Sequence, residues 1–179
     1  MAELGIDVIA ASGSHGDEAV SRDVLLDGRR RFDLRVTVAW VAGVGTSLWA
    51  HYGPEGMEIP RRVLLRMLHA NFDYPYARFG ITDDDRPMLM AELGDLRDAD
   101  ELGRGLVRLV VMADRLLEET AAAVAERGVL PDWQDRTCRN TALLDRYTPQ
   151  VEALMPAWEA PTPREPRRGI FGRLLGRQR

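Results

Sequence analysis

The stretch FDLRVTVAWVAGVGTSLWAHY, residues 32–52, decides the fold that we predict for this chain. From Phe32 to Trp40 apolar residues occupy every second position, which is the period of a strand with one buried face. The segment Gly43 to Gly45 supplies a turn, and the alternation resumes from Ser47 to Tyr52. Two alternating runs joined by a glycine-bearing turn predict a β-hairpin.

Downstream of the hairpin the period changes from two to that of a helix. Pro60 suits the first turn of a helix, and the apolar residues of Val63 to Leu68 follow at helical spacing up to Asn71. A second hairpin is predicted from Tyr76 to Leu93, because two strand-like runs there flank the acidic turn Asp83–Asp85.

A long amphipathic helix is predicted to close this core. Asp98 and Glu101 have the spacing of a capping box, and leucines recur on one face from Leu102 to Leu117. The helix is expected to end at Gly128. The order strand–strand–helix–strand–strand–helix over residues 32–128 predicts an α+β fold, in which an antiparallel sheet of about five strands carries helices on one face.

The remaining segments divide the chain further. Residues 1–31 are predicted to be an N-terminal arm with a possible first strand at Val20–Leu26. Leu4, Ile6, Val8 and Ile9 suit a short strand or a docking arm, while Ala10–Gly16 is typical of a loop. Residues 129–158 are predicted to be a helical extension made of two short helices, Thr141–Tyr147 and Pro149–Trp158. Residues 159–179 form a proline-rich linker and a basic tail.

Charge is distributed unevenly along the chain. All 24 basic residues are arginine, and the formal net charge is −4. Residues 161–179 contain six arginines and one glutamate, which leaves the body strongly acidic. An acidic body argues against nucleic-acid binding. The single cysteine, the lack of a basic leader and the lack of an apolar run of spanning length predict a cytoplasmic protein.

The sequence shows no arrangement typical of catalysis, cofactor binding or a metal site. The three histidines, His15, His51 and His69, fall in different elements, and a metal site of His51 and His69 with Asp73 is the alternative to ordinary strand-face and helix-end positions. Asp83–Asp85 lacks the alternating ligands and glycine of a calcium loop. Cys138 lies beside Arg136 and Arg139, a setting that allows a reactive thiol, but no histidine is near it in the sequence. We therefore predict no catalytic residue, no cofactor and no metal.

The pattern of the core resembles the YbjN family, which is similar in fold to the class I chaperones of type III secretion. The resemblance lies in the segments Leu64–Asn71, Ala77–Ile81, Met88–Leu93 and Leu102–Leu117. It covers roughly residues 30–128 and includes no catalytic motif. It implies a chaperone-like domain, often a homodimer, that binds a segment of a partner protein.

Two regions are candidates for holding a protein partner. The first region consists of five aromatic residues: Trp40, Trp49, Tyr52, Phe72 and Tyr74. Those that are exposed would form a contact patch, and core packing is the alternative interpretation. In the tail, apolar residues group on one side of a short helix among arginines: Arg168, Ile170, Phe171, Arg173, Leu174 and Leu175. The tail suits a protein groove, an anionic membrane surface or a solvated end.

The leading hypothesis is a non-catalytic, protein-binding chaperone or adaptor of the YbjN or secretion-chaperone-like type, in the cytoplasm and as a homodimer. The identity of the partner does not follow from the sequence. The alternative hypothesis is a regulatory component that associates with an anionic membrane surface through its basic C-terminal tail.

Overall fold

The computed structural model of the chain describes residues 4, 6–14, 16–53, 59–74, 76–94, 98–125 and 135–154, with side chains of the long helix described up to residue 117. These residues form six strands, β1 (Val8–Ser12), β2 (Ala19–Leu26), β3 (Leu34–Val41), β4 (Gly45–His51), β5 (Arg78–Ile81) and β6 (Pro87–Leu93). They also form three helices, α1 (Arg61–Asp73), α2 (Ala99–Ala125) and α3 (Thr141–Glu152).

The six strands make one sheet in which every neighbouring pair is antiparallel. The strand order is β1-β2-β3-β4-β6-β5. Strands β1 to β4 follow one another as a meander. Helix α1 then interrupts the chain, and β6 returns to pair with β4, so β5 becomes the edge strand. The predicted hairpin is β3–β4, in which Val38 pairs with Leu48.

The helices pack on one face of the sheet, because the alternation of the strands puts their apolar residues there. Strands β3, β4 and β6 each bury every second residue on this face. Helix α2 crosses β6 and β4, and α3 packs on α2. Contact on both sides buries the middle of α2, whose fully or nearly fully buried residues include Leu106, Val107, Leu109, Val110 and Met112.

The predicted α+β fold with an antiparallel sheet and helices on one face is confirmed, with six strands in place of about five. The extra strand is β1, which forms where the sequence predicts a loop after Ile9. Ser12 pairs with Ser21 and Ala11 with Arg22, although all of β1 is exposed. A strand without a buried face has no alternation to detect, so its pairing with β2 decides its structure. Residues 1–31 therefore contribute two strands to the sheet.

Helix α3 also differs from its prediction. The sequence predicts two helices separated at Thr148, but Thr141–Glu152 is one helix with Pro149 inside it. Pro149 lies in the last turn, where its missing N–H costs one hydrogen bond and its carbonyl still accepts from Ala153 N at 3.1 Å. Thr148 is buried within the helix and does not begin a new one.

The start of α2 confirms the predicted capping pair. The backbone N–H of Glu101 donates to Asp98 Oδ1 at 2.5 Å, which satisfies one of the free N–H groups of the first turn. In the middle of the same helix, the Asp114 carboxylate accepts the backbone N–H groups of Arg29 at 2.7 Å and Arg31 at 2.8 Å. Asp114 thereby ties α2 to the turn between β2 and β3.

A buried carboxylate fastens the segment before α3 to the same turn. The Asp27 side chain is fully buried and accepts from Arg139 Nε and Nη2, both at 2.7 Å, and from the backbone N–H of Asp33 at 2.9 Å. Asn140 Oδ1 accepts the N–H of Asp27 at 2.9 Å. Burial alone raises the pKa of Asp27, but these hydrogen bonds outweigh it and lower the pKa to about 2.

Candidate functional site

Two of the five predicted contact aromatics belong to the core. Tyr52 is 1% exposed, lies edge-on to Phe79 with ring centroids 5.2 Å apart, and has the Arg31 guanidinium 4.5 Å from its ring. Tyr74 is 2% exposed, and burial raises the pKa of its hydroxyl. The prediction that these two tyrosines contact a partner is wrong, because the strand and helix ends that carry them turn them inward.

Trp49 lies on the face of the sheet opposite the helices. It is half-buried between Thr37 on β3 and Met90 on β6, with which it is in register. Polar cross-strand pairs surround this apolar centre. Arg35 donates to Asp23, and Arg78 contacts Glu92 at 2.9 Å. This face is a largely polar, solvent-facing sheet surface in which Trp49 and Met90 form a small apolar centre.

Trp40 lies on the helix-bearing face, near the end of β3. It is half-buried beside Thr46 and Val20, its partners on the two neighbouring strands. It lines a groove that also contacts Leu102 in the first turns of α2. Trp40 and Trp49 therefore project from opposite faces of the sheet and do not form one patch.

Phe72 is the most exposed of the predicted aromatics. It is 89% exposed on α1, and two leucines precede it at helical spacing, Leu65 at 40% and Leu68 at 54%. We call these three residues the α1 stripe. The opposite side of the same helix buries Val63, Met67 and Ala70 against the core. Helix α1 is therefore apolar on two sides, of which the sheet covers one.

The sequence contains a signal for the α1 stripe that the helix prediction did not use. Five of the six residues from Val63 to Leu68 are apolar, which is more than one buried helical face needs. A single apolar helical face over this segment would place Leu68 beside Val63 and Met67 in the core. Its 54% exposure shows that the apolar set divides between two sides.

Basic side chains surround the α1 stripe. Arg61 and Arg62 are exposed in the first turn of α1, and Arg66 lies 4.0 Å from Asp73. Just beyond the helix, the exposed ring of Tyr76 has the Arg108 guanidinium 5.0 Å from its centroid. An apolar stripe with a basic border is suited to an apolar groove with an acidic rim.

The edge of the sheet next to α1 is closed by an asparagine. Asn71 Oδ1 accepts the backbone N–H of Phe79 at 2.6 Å, and its Nδ2 donates to the carbonyl of Phe79 at 3.0 Å. These two groups of β5 point away from β6, where another strand would otherwise pair with them. Asn71 thus occupies the position of a neighbouring strand and protects this edge.

Replacing Asn71 by alanine is expected to destabilise the protein by about 2 kcal/mol, because two backbone groups of β5 lose their partners. The measurement is urea denaturation followed by circular dichroism. Asn71→Asp is the matched control, since it keeps an acceptor for the Phe79 N–H. Its stability should lie between that of Asn71→Ala and that of the wild type. Equal stability of Asn71→Ala and the wild type would show that Asn71 does not support the edge.

The residues considered for metal or thiol chemistry lie apart from the α1 stripe or at its margin. His51 ends β4 and His69 lies on α1, both exposed, while His15 lies outside the described residues. Within the described part of the chain, no group of three or more His, Cys, Asp or Glu side chains is placed to hold a metal ion. Cys138 is partly buried, and its thiol donates to the carbonyl of Asp27 at 3.4 Å.

The predicted tail contacts, from Arg168 to Leu175, lie outside the described residues. Among the helices that the structure describes, none has the length and apolar character required to cross a membrane.

Comparison with solved structures gives similar chains. No protein-family model and no curated protein matches the chain, so the YbjN resemblance stays a prediction. A chain of the heterodimeric ExoU-SpcU complex from the type III secretion system of Pseudomonas aeruginosa is 22% identical, with a TM-score of 0.42. The similarity covers 59% of this chain and 85% of that chain. A likeness of this size carries no argument, so the fold rests on the strand order and helix packing described above.

Proposed function

We propose that this chain is a non-catalytic, protein-binding chaperone or adaptor of the YbjN or secretion-chaperone-like type, and that the α1 stripe is its contact surface. The supporting observation is the exposure of Leu65, Leu68 and Phe72 on one side of α1. A fully exposed Leu or Phe side chain is unfavourable by roughly 1.5–3 kcal/mol relative to burial, so Phe72 at 89% exposure contributes most and Leu65 at 40% contributes least. A partner that covers them recovers much of this free energy.

The stripe has the spacing of a helix that binds in a groove. Its members are separated by three and four residues, so they lie along one line of the helix. Phe72 is the anchor in this proposal, because a large aromatic side chain near the centre of an interface contributes most to binding. The arginines around the stripe favour a partner with acidic residues around its groove.

The homodimer implied by the family resemblance stays a prediction. The described part of the long helix α2 is buried between the sheet and α3, so it presents no open apolar face to a second subunit. The α1 stripe remains accessible to one. Light scattering on the full chain measures whether self-association uses the same surface as the partner.

Substituting both Leu68 and Phe72 with aspartate is expected to weaken partner binding at least about tenfold, since the loss of two anchors exceeds 1.4 kcal/mol. A photo-crosslinking phenylalanine analogue at position 72 first identifies the partner in the native host. The affinity of the purified pair is then measured with wild-type and substituted protein.

The control substitution is Val44→Asp, which introduces the same charge at a residue that is 82% exposed in the β3–β4 turn. It should leave the affinity unchanged. Photo-crosslinking at the exposed Asp145 on α3 serves as the positional control. If positions 72 and 145 capture the same proteins, or if the double substitution leaves the affinity intact, the proposed contact surface is wrong.

A further inference from the structure

A second apolar surface lies on the helix-bearing face of the sheet, near the end of β3 that carries Trp40. It is a groove of about 590 Å³ beside the first turns of α2, and we call it the Trp40 groove. Its size is within the range of sites that bind ligands or peptide side chains. Its lining comes from the turn before β2, from β2 to β4 and from α2, and includes Asp17, Glu18, Val20, Val38, Trp40 and Leu102.

The walls of the Trp40 groove are apolar and already packed. Val38 and Leu102 are buried, while the indole of Trp40 above them stays half exposed. Thr46, which pairs with Trp40 across β3 and β4, also lines the groove. Its hydroxyl is buried and finds no hydrogen-bond partner in the described part of the chain. The groove therefore combines apolar contact area with one polar group that an occupant can satisfy.

The rim of the Trp40 groove is acidic. Asp17 and Glu18 lie exposed at its edge, and the described lining residues include no arginine. Their loop is held in place, because Asp17 Oδ2 accepts the N–H of Ser14 at 2.6 Å and the carbonyl of Glu18 accepts the N–H of Ala42 at 2.8 Å. An apolar groove with a fixed acidic rim fits a segment that carries large apolar side chains next to cations.

We propose that the C-terminal tail of the same molecule, residues 167–179, occupies the Trp40 groove. The tail has the complementary composition, with the apolar residues Ile170, Phe171, Leu174 and Leu175 placed among arginines. Residues 161–179 carry a net charge of +5, opposite in sign to the rim. Phe171 and Leu174 enter the groove beside Trp40, and the neighbouring arginines pair with Asp17 and Glu18.

The chain is long enough for the tail to reach the groove within one molecule. Tyr147 on α3 packs against Gly103, the neighbour of the groove residue Leu102. Leu154 follows seven residues later, about 10 Å of helix. The twelve residues between Leu154 and Arg167 span up to about 40 Å when extended. That length is sufficient to pass around α2.

In this arrangement the tail blocks the Trp40 groove within the same molecule. A partner with a basic and apolar segment that binds the groove more tightly can displace the tail. This inference does not rest on the proposed function, because the α1 stripe contains none of the groove residues. Loss of partner binding on substitution of the stripe and loss of tail contact on substitution of the groove are separate results.

The test uses the full chain labelled with 5-fluorotryptophan and read by fluorine NMR. Substituting Trp40 with phenylalanine identifies the Trp40 signal. In the variant Phe171→Asp/Leu174→Asp, the Trp40 signal is expected to shift and to broaden more in a soluble paramagnetic agent, since the indole becomes exposed. Glu18→Arg is expected to shift the same signal in the same direction. Phe72→Asp is the matched control and should leave it unchanged.

Three results would overturn the proposal. The first is a Trp40 signal that is identical in the wild type and in both the tail and the Glu18 variants. The second is a shift that depends on protein concentration, which would assign the groove to the tail of a second copy. The third is a wild-type Trp40 signal equal to that of the tail variant, together with flotation of the wild type with vesicles of phosphatidylglycerol and phosphatidylcholine. That result would assign the tail to a membrane surface.

Discussion

The variant Asp27→Ala is expected to have a free energy of unfolding about 3 kcal/mol lower than that of the wild type at neutral pH, as measured by urea denaturation. The carboxylate that it removes is fully buried and holds Arg139 through two side-chain hydrogen bonds of 2.7 Å. It also accepts the backbone N–H groups of Asp33 and Arg139. The substitution removes the acceptor of Arg139 Nε and of the two backbone N–H groups, while Arg139 Nη2 keeps Asp33 Oδ1 at 2.7 Å. This loss of stability is near the lower end of the range for breaking a buried ion pair, because the Arg139 side chain is 43% exposed and can be hydrated.

The same carboxylate makes stability depend on pH in the acid range. Its pKa is about 2 in the folded protein and 3.8 ordinarily, so the folded state favours the charged form. The stabilisation is fully present above about pH 5 and is lost as the pH falls through 3.8 toward 2, amounting to about 2 kcal/mol. Asp27→Asn should remove this part of the pH dependence. An unchanged slope between pH 4 and pH 2 in that variant would contradict the assignment.

Asp33 provides the control for Asp27. A hydrogen bond from Arg136 is the main cause that lowers the pKa of Asp33, and the carboxylate is 41% exposed. Asp33→Asn should therefore change the acid slope and the stability much less than Asp27→Asn. If the two variants behave alike, burial of Asp27 is not what makes its ion pair with Arg139 important.

The strands that could be predicted from the sequence are those with one buried and one exposed face. In β3, apolar and polar residues alternate from Leu34 to Val38, and in β6 buried residues alternate with less buried ones, because the helices cover one face and solvent the other. β1 has no such pattern, since all five of its residues are exposed, and only its pairing with β2 defines it. Alternation detects a buried face, and a strand without one escapes it.

Contacts between distant segments were not predictable from one sequence. Asp27 and Asn140 are separated by 113 residues, and no local pattern connects them. The same limit explains the fate of the predicted contact aromatics. Composition and spacing identified Phe72 and Tyr74 equally as contact candidates. Phe72 on α1 faces solvent, while Tyr74, directly after the helix, is buried in the core. The direction of a side chain follows from packing, which requires the fold.

The protection of the sheet differs between its two edges, and this bears on where a partner binds. At β5, Asn71 occupies the outward backbone groups of Phe79, and α1 covers the edge. At β1, Val8 and Ile9 are exposed, and the strand contains no charged residue or proline. The closed edge lies beside the α1 stripe. We therefore expect a partner at the stripe to contact side chains of a helix and not to add a strand at β5.

A larger side chain at Gly103 is expected to displace α3 from α2. The Tyr147 ring lies so close that a Cβ at Gly103 would stand 2.7 Å from Cζ and 3.0 Å from Cδ2. The ring is 1% exposed, and its hydroxyl donates to Asp100 Oδ1 at 2.6 Å. The variant Gly103→Val is expected to lose about 3 kcal/mol of unfolding free energy, since the branched side chain displaces the ring.

A double-mutant cycle separates this clash from a general loss of helix stability. Tyr147→Ala alone removes a buried ring and is expected to cost about 3 kcal/mol or more. The combined variant Gly103→Val/Tyr147→Ala should cost at least about 1 kcal/mol less than the sum, because the valine fills part of the vacated space. Ala142→Val, exposed on α3, is the control for a valine in a helix and should change the stability by less than about 1 kcal/mol.

Detachment of α3 has a second expected result, because α3 covers one side of α2. Hydrogen exchange of the α3 amides should become faster in Gly103→Val, while the amides of β3 and β4 keep their protection. Uncovering α2 exposes apolar side chains that are now buried, so light scattering should detect self-association of this variant. Additive stability changes in the cycle, or a Gly103→Val protein with wild-type exchange in α3, would show that the contact between Gly103 and Tyr147 does not hold the helix in place.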